Sequence, residues 1–245
     1  MKLKTLFLFF FISLNSIIAQ QVTLINNVEI FNGKNKNTTI SNILIVENKI
    51  QKISDKSIST SSFENVTQID GKGKFLMPGL IDAHYHAMFA SLPQLVLLTS
   101  DIGYVNLVAG KNAENMLMNG YTSIRDLGGP IFGLKKAIDQ GVTKGPRIWP
   151  SGAFISQTGG HGDFRLPNEI PSDVNHGLSY GERINATAIA DSPDEVRLRT
   201  REQLMQGASQ IKLMAGGGVS STYDPLDVTQ YTENEIKAAV EAAEN

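Results

Sequence analysis

From Phe75 onward the chain alternates four times between short apolar runs of strand length and longer stretches of helical periodicity. Leu80 to His84 is the first apolar run. Ala109, Ala113, Met116 and Leu117 then share one face of a helical stretch that ends near Asn119, with Gly120 as terminator. Tyr121 to Arg125 reads as a strand, and Ile131, Leu134 and Ile138 form a helical stripe stopped by Gly141. Arg147 to Ser151 is the third strand. Ser192-Pro193-Asp194-Glu195 has the form of a capping box with proline at the first helical position, and it opens a helix ending at Gly207. Gln210 to Met214 is the fourth strand, and Thr232 to Glu235 is a second capping box. Strand–helix alternation of this kind predicts an α/β fold with a parallel sheet.

The residues before Phe75 obey a different rule. Val22, Leu24, Val28 and Ile30 alternate, Asn32-Gly33 is a turn signal, and Ile43, Ile45, Ile50 and Ile53 follow in short runs. Residues 20–73 therefore read as part of a small β-sandwich, and 74–245 as a separate α/β region. Residues 1–19 carry Lys2 and Lys4 ahead of the apolar run Leu6 to Leu14, with Ala19 at the end. That is the pattern of a signal peptide, too short for a comfortable membrane span, and it predicts an exported protein (periplasmic or secreted) with no stable membrane anchor.

Composition narrows the chemistry. With no cysteine among 245 residues, a disulfide scaffold, a thiolate metal site and a cysteine nucleophile are excluded. A net charge of −2 gives no electrostatic footprint for nucleic acid. Gly216-Gly217-Gly218 follows a strand but lacks the Lys and Ser/Thr of a phosphate loop. Any metal must be held by histidine, carboxylate or something less usual.

The sharpest chemical signal is Asp82-Ala83-His84-Tyr85-His86 at the end of the first apolar strand. Side chains at i and i+2 of a strand point the same way, so His84 and His86 can converge on one metal. Asp82 has the same parity and is placed to fix an imidazole tautomer from the second shell. Lys212 lies mid-strand between Ile211 and Leu213, facing away from the side those two share. A buried lysine is costly unless it loses its charge. It is either a neutral amine able to capture carbon dioxide as a carbamate, or a lysine that snorkels to solvent. The long connection at about 152–191 contains His161, and long connections in compact domains tend to carry function. Asp126 reads as a turn former, and His176 as a loop residue.

Together these features resemble the amidohydrolase superfamily. The run Phe75-Leu76-Met77-Pro78-Gly79-Leu80-Ile81-Asp82-Ala83-His84-Tyr85-His86 is similar to its opening metal motif. Thr158-Gly159-Gly160-His161-Gly162-Asp163, Ala190 to Arg197 and Gln210 to Gly217 are similar to its imidazolonepropionase-like branch, which includes Xaa-Pro and Xaa-Arg/Lys dipeptidases. The resemblance implies about the first four βα units of a (β/α)8 TIM-like barrel, preceded by part of a β-sandwich. It implies a binuclear divalent centre, two zinc ions, held in part by His84, His86 and a carbamylated, bridging Lys212. It places His161 and Tyr231 against the substrate carbonyl or its tetrahedral intermediate. The implied reaction is hydrolysis of a C–N bond in a small peptide by metal-activated water.

All four histidines lie at or before residue 176, so the further ligands the resemblance implies after the fourth strand are not in this sequence. The expectation is the N-terminal half of such an enzyme, inactive alone, with the full-length form able to form a homo-oligomer. Two alternatives stay open: hydrolysis of an imidazolone or other cyclic amide, and a non-catalytic exported binding protein.

Overall fold

The computed structural model describes residues 20–172 and 177–245. The expected signal peptide and His176 lie outside the described residues. The chain divides between Pro78 and Gly79 into two compact units.

The first unit is one sheet. Its strands are β1 (Val22–Ile30), β2 (Thr39–Val46), β3 (Lys49–Ser54), β4 (Val66–Asp70) and β5 (Phe75–Leu76). The order is β3-β2-β1-β4, and β5 pairs with the end of β1. β1 and β2 are antiparallel, as are β2 and β3, while β4 and β5 run parallel to β1. The alternation Val22, Leu24, Val28, Ile30 suggests a single buried face. A register shift between Ile25 and Val28 splits it instead. Asn27 sits there with a φ of 54°. An extra residue in one strand turns every later side chain to the other side. Val22 and Leu24 accordingly pack with Leu44, and Val28 and Ile30 pack with Ile43. Leu44 and Ile43 are neighbours on β2 and point to opposite faces.

The second unit is α/β. β6 (Leu80–Tyr85), β7 (Tyr121–Asp126) and β8 (Arg147–Pro150) form a parallel sheet in that order. α1 (Gln94–Thr99) and α2 (Ile102–Met118) connect β6 to β7, and α3 (Phe132–Asp139) connects β7 to β8. One core joins Val105, Ala109 and Ala113 of α2 to Ile124, Ile148, Ile131 and Leu134. Of the expected helix faces, Ala109, Ala113, Ile131 and Leu134 are buried and Met116 and Ile138 pack against them, while Leu117 stays outside this cluster. Gly120 and Gly141 end their helices with φ of 94° and 70°, which glycine adopts without strain. Among the described residues no helix is long and apolar enough to cross a membrane.

The stretch expected to be one long connection contains regular structure. β9 (Phe154–Ser156) pairs in parallel with β10 (Thr187–Ile189), and the short helix α4 (Tyr180–Arg183) lies just before β10. The other edge of β9 meets Leu213. Ile155 N–H donates to the Lys212 carbonyl at 2.9 Å, and the Ile155 carbonyl accepts from Met214 N–H at 2.9 Å. The expected fourth strand is thus reduced to a single bridge, because one residue of β9 supplies both bonds. α5 (Pro193–Met205) and α6 (Glu233–Glu244) pack over this region. Ser192 accepts from Glu195 N–H at 3.3 Å, but the Glu195 carboxylate takes the Asp191 N–H rather than closing the box on Ser192.

Candidate metal centre and its cavity

Residue His84 lies near the end of β6 and His86 just beyond it. Their ring centroids are 5.5 Å apart with planes at 60°. His84 is exposed and His86 half-buried. Burial, reinforced by the neighbouring basic groups His84, Lys212 and His161, outweighs the upward pull of the Gly128 backbone and holds His86 below the ordinary imidazole pKa. Its Nδ1 is buried with no hydrogen-bond partner. A buried imidazole nitrogen without a partner is costly in a protein interior, and a cation there would satisfy it. Asp82 accepts from the His84 backbone N–H at 3.0 Å, so the contact it makes is with main chain rather than with an imidazole.

Ile211 and Leu213 pack against the cluster of Val196, Ala238 and Ala239, leaving Lys212 on the opposite side. Burial, followed by repulsion from Arg125, lowers the proton affinity of its amine. That is the direction a neutral, carbon dioxide-capturing amine requires. Among the described residues no group of three or more His, Cys, Asp and Glu side chains is placed to hold a metal. The candidate donors brought together on one cavity are the two imidazoles, one with an orphaned nitrogen; Lys212 is not among the residues lining it.

Asp126 is more than a turn former. It is fully buried at the end of β7. Oδ2 accepts from Ala87 N–H at 2.7 Å and Oδ1 from Gly128 N–H at 3.2 Å, which ties down the chain directly after His86. Burial pushes its pKa up from 3.8 to about 7, against the pull of those two N–H groups. The native state therefore holds a proton that the unfolded chain releases between these values. Stability from this residue is full below about pH 4 and is lost as pH rises through about 7. Asp126→Asn should remove that decline. Urea midpoints compared between pH 4.5 and 7.5 should then fall less in the variant than in the parent, by the equivalent of about 2–4 kcal/mol. Equal slopes would refute the assignment.

Above the histidines, the 158–165 loop is held by a buried ion pair. Arg165 donates to Asp163 through Nε (2.8 Å) and Nη2 (2.6 Å), and Gly159 N–H donates to the same carboxylate at 2.8 Å. Burial pushes Asp163 up, but Arg165 and the N–H groups outweigh it and hold it below the usual carboxylate range. His161 projects from this loop, its N–H donating to Gln230 Oε1 at 3.0 Å. His84, His86 and His161 line one cavity of about 430 Å³ whose other walls include Phe89, Leu97 and Phe154. Tyr231 lies elsewhere. It is packed in the core with Ala153, Ile155 and Ala188, its hydroxyl is buried without a partner, and burial raises its pKa. It is not among the residues lining the cavity.

Asp126, Arg165 and Asp224, whose buried side chain accepts from Gly218 N–H at 2.8 Å, are organising groups absent from the sequence-based expectations. Asp163-Phe164-Arg165 carried a usable signal, since opposite charges at i and i+2 beside a glycine-rich turn are suited to pair. Asp126 and Asp224 carried none, because their partners lie far along the chain or depend on a loop's path.

Residues 75–245 match the amidohydrolase family. Ochratoxinase of Aspergillus niger is 38% identical over 192 residues, covering 72% of this chain and 38% of that protein. Among solved structures, a prolidase complexed with N-methylphosphonate-L-proline superposes with a TM-score of 0.79 at 34% identity, covering 91% of this chain and 54% of that one. A Xaa-Pro dipeptidase with bound methionine in its active site gives 0.74 at 28% identity, with coverage of 91% and 54%. The chain spans about half the length of these two structures.

Proposed function

The chain belongs to the amidohydrolase family, and from that premise we propose that the protein is a metal-dependent, dipeptidase-like hydrolase of C–N bonds. The observation that carries this reading is the orphaned Nδ1 of His86 beside His84, in the wall of a cavity sized for a small molecule. The prolidase and Xaa-Pro dipeptidase likenesses support a small peptide substrate. In this reading the chain supplies part of a TIM-like barrel, and residues 1–19 direct export.

His84 and His86 would hold the divalent metal, with Lys212 as a carbamate joining them as a further ligand. Lys212 would form that carbamate by bonding Nζ to carbon dioxide and releasing one proton, which its lowered proton affinity favours. Bound divalent ions supply Lewis acidity and an activated water. Phe89, Leu97 and Phe154 hold an apolar part of the substrate and exclude bulk water. His161 faces the substrate from the loop above. The donors on this chain are part of a set, so hydrolysis is expected only when further ligands join them.

The test measures bound metal and hydrolysis of a panel of dipeptides by this chain and by a form extended with downstream sequence. Metal retention and turnover in the extended form are expected. Turnover of cyclic amides alone would replace the dipeptidase reading, and an extended form without bound divalent metal would overturn both.

A further inference from the structure

Two side chains from one loop converge on a single ring nitrogen. His161 Nδ1 lies 2.8 Å from Ser221 Oγ and 3.3 Å from Asp224 Oδ2. Ser221 Oγ also contacts Asp224 Oδ1 and lies 3.1 Å from the Gly218 carbonyl. Asp224 accepts from Gly218 N–H at 2.8 Å, and its side chain is 1% exposed. Burial raises its pKa, but Ser221 and the Gly218 N–H outweigh that and keep it ionised.

Proton counting decides the tautomer. An ionised carboxylate and a carbonyl only accept, and a serine hydroxyl has one proton. Ser221 directs that proton at Asp224 or at Gly218, so its oxygen is left to accept. Every neighbour of Nδ1 is then an acceptor, and Nδ1 must be the donor. We propose that Asp224, with Ser221, is a positioning residue that fixes His161 as the Nδ1–H tautomer, so that Nε2 presents a lone pair to the substrate. Gly218 completes the cradle, because a Cβ there would overlap the His161 ring.

The inference rests on the proposed placement of substrate in this cavity and sharpens it. A neutral His161 held this way pairs with a substrate N–H, such as the amino terminus. It reaches a carbonyl oxygen only when Nε2 is protonated. The Ser221–His161–Asp224 set is not a nucleophilic triad, because serine and carboxylate share the same ring nitrogen, whereas a triad uses both.

The experiment is nitrogen NMR on histidine-labelled protein at about pH 8. The His161 signals are identified by their loss in His161→Gln. Parent protein should show protonated Nδ1 and bare Nε2, and Asp224→Ala should shift the ring toward Nε2–H, with Ser221→Ala giving a smaller shift. A parent ring already in the Nε2–H form would overturn the proposal without any variant. So would an Asp224→Ala ring that keeps its tautomer while circular dichroism matches the parent. In the extended form, Asp224→Ala should lower kcat about tenfold with KM changed less than about threefold. The Nδ1–H form in a protein that hydrolyses no peptide would leave this positioning intact and remove only the dipeptidase reading.

Discussion

Replacing Arg165 with methionine should destabilise the second unit by about 3–5 kcal/mol, the usual effect of removing one partner from a buried ion pair. The guanidinium does four jobs at once. It chelates Asp163 through two nitrogens and also reaches Ser172 Oγ at 3.0 Å and Thr158 Oγ1 at 3.1 Å. Methionine fills the space of the stem but leaves the Asp163 carboxylate buried without its counter-charge. Protonation of Asp163 would relieve that. The parent pair contributes fully above the ordinary carboxylate range and is lost as pH falls through the depressed Asp163 value. The variant should therefore lose less stability on acidification than the parent. Chemical denaturation at pH 7 and at pH 4 measures both effects. A loss below about 1 kcal/mol at pH 7 would show that the pair is not structural.

A chain carrying both His84→Ala and His86→Ala should lose divalent metal, with an affinity at least about a hundredfold weaker than the parent. The fold should survive, since His84 is exposed and His86 only half-buried. Zinc titration by calorimetry, alongside metal content after dialysis, gives the comparison. The double variant should also be no less stable than the parent when metal is absent, because the orphaned Nδ1 of His86 costs free energy in the metal-free state. Unchanged zinc binding would remove these histidines from any centre.

The features legible in the sequence were those fixed by local spacing. The apolar stripe of Ala109 and Ala113 and the pairing of Ile211 with Leu213 both depend on helix or strand period alone. The structure places those side chains in cores as expected. The amidohydrolase resemblance rested on contiguous runs and is met by the match over residues 75–245. What was not legible depends on partners far along the chain. Phe154–Ser156 is too short to announce itself, and becomes a strand because Thr187–Ile189 and Leu213 supply its two edges. Asp126 looked like part of an Asp-Leu-Gly-Gly turn, yet its burial and its bond to Ala87 are set by how β6 lies beside β7. Tyr231 stood before a helix cap in a family-like position, and the packing of α5 and α6 encloses it.

The extra residue in β1 has a consequence for anyone comparing this chain with others. Between Ile25 and Val28 the strand changes the address of its side chains from one face to the other. A relative without that residue would carry its later hydrophobic positions one place out of step. A gap misplaced by one residue at Asn26 or Asn27 would then line up interior positions with solvent-facing ones. Substitution patterns across this segment should be tallied separately before and after Asn27, as if it were two short strands spliced together.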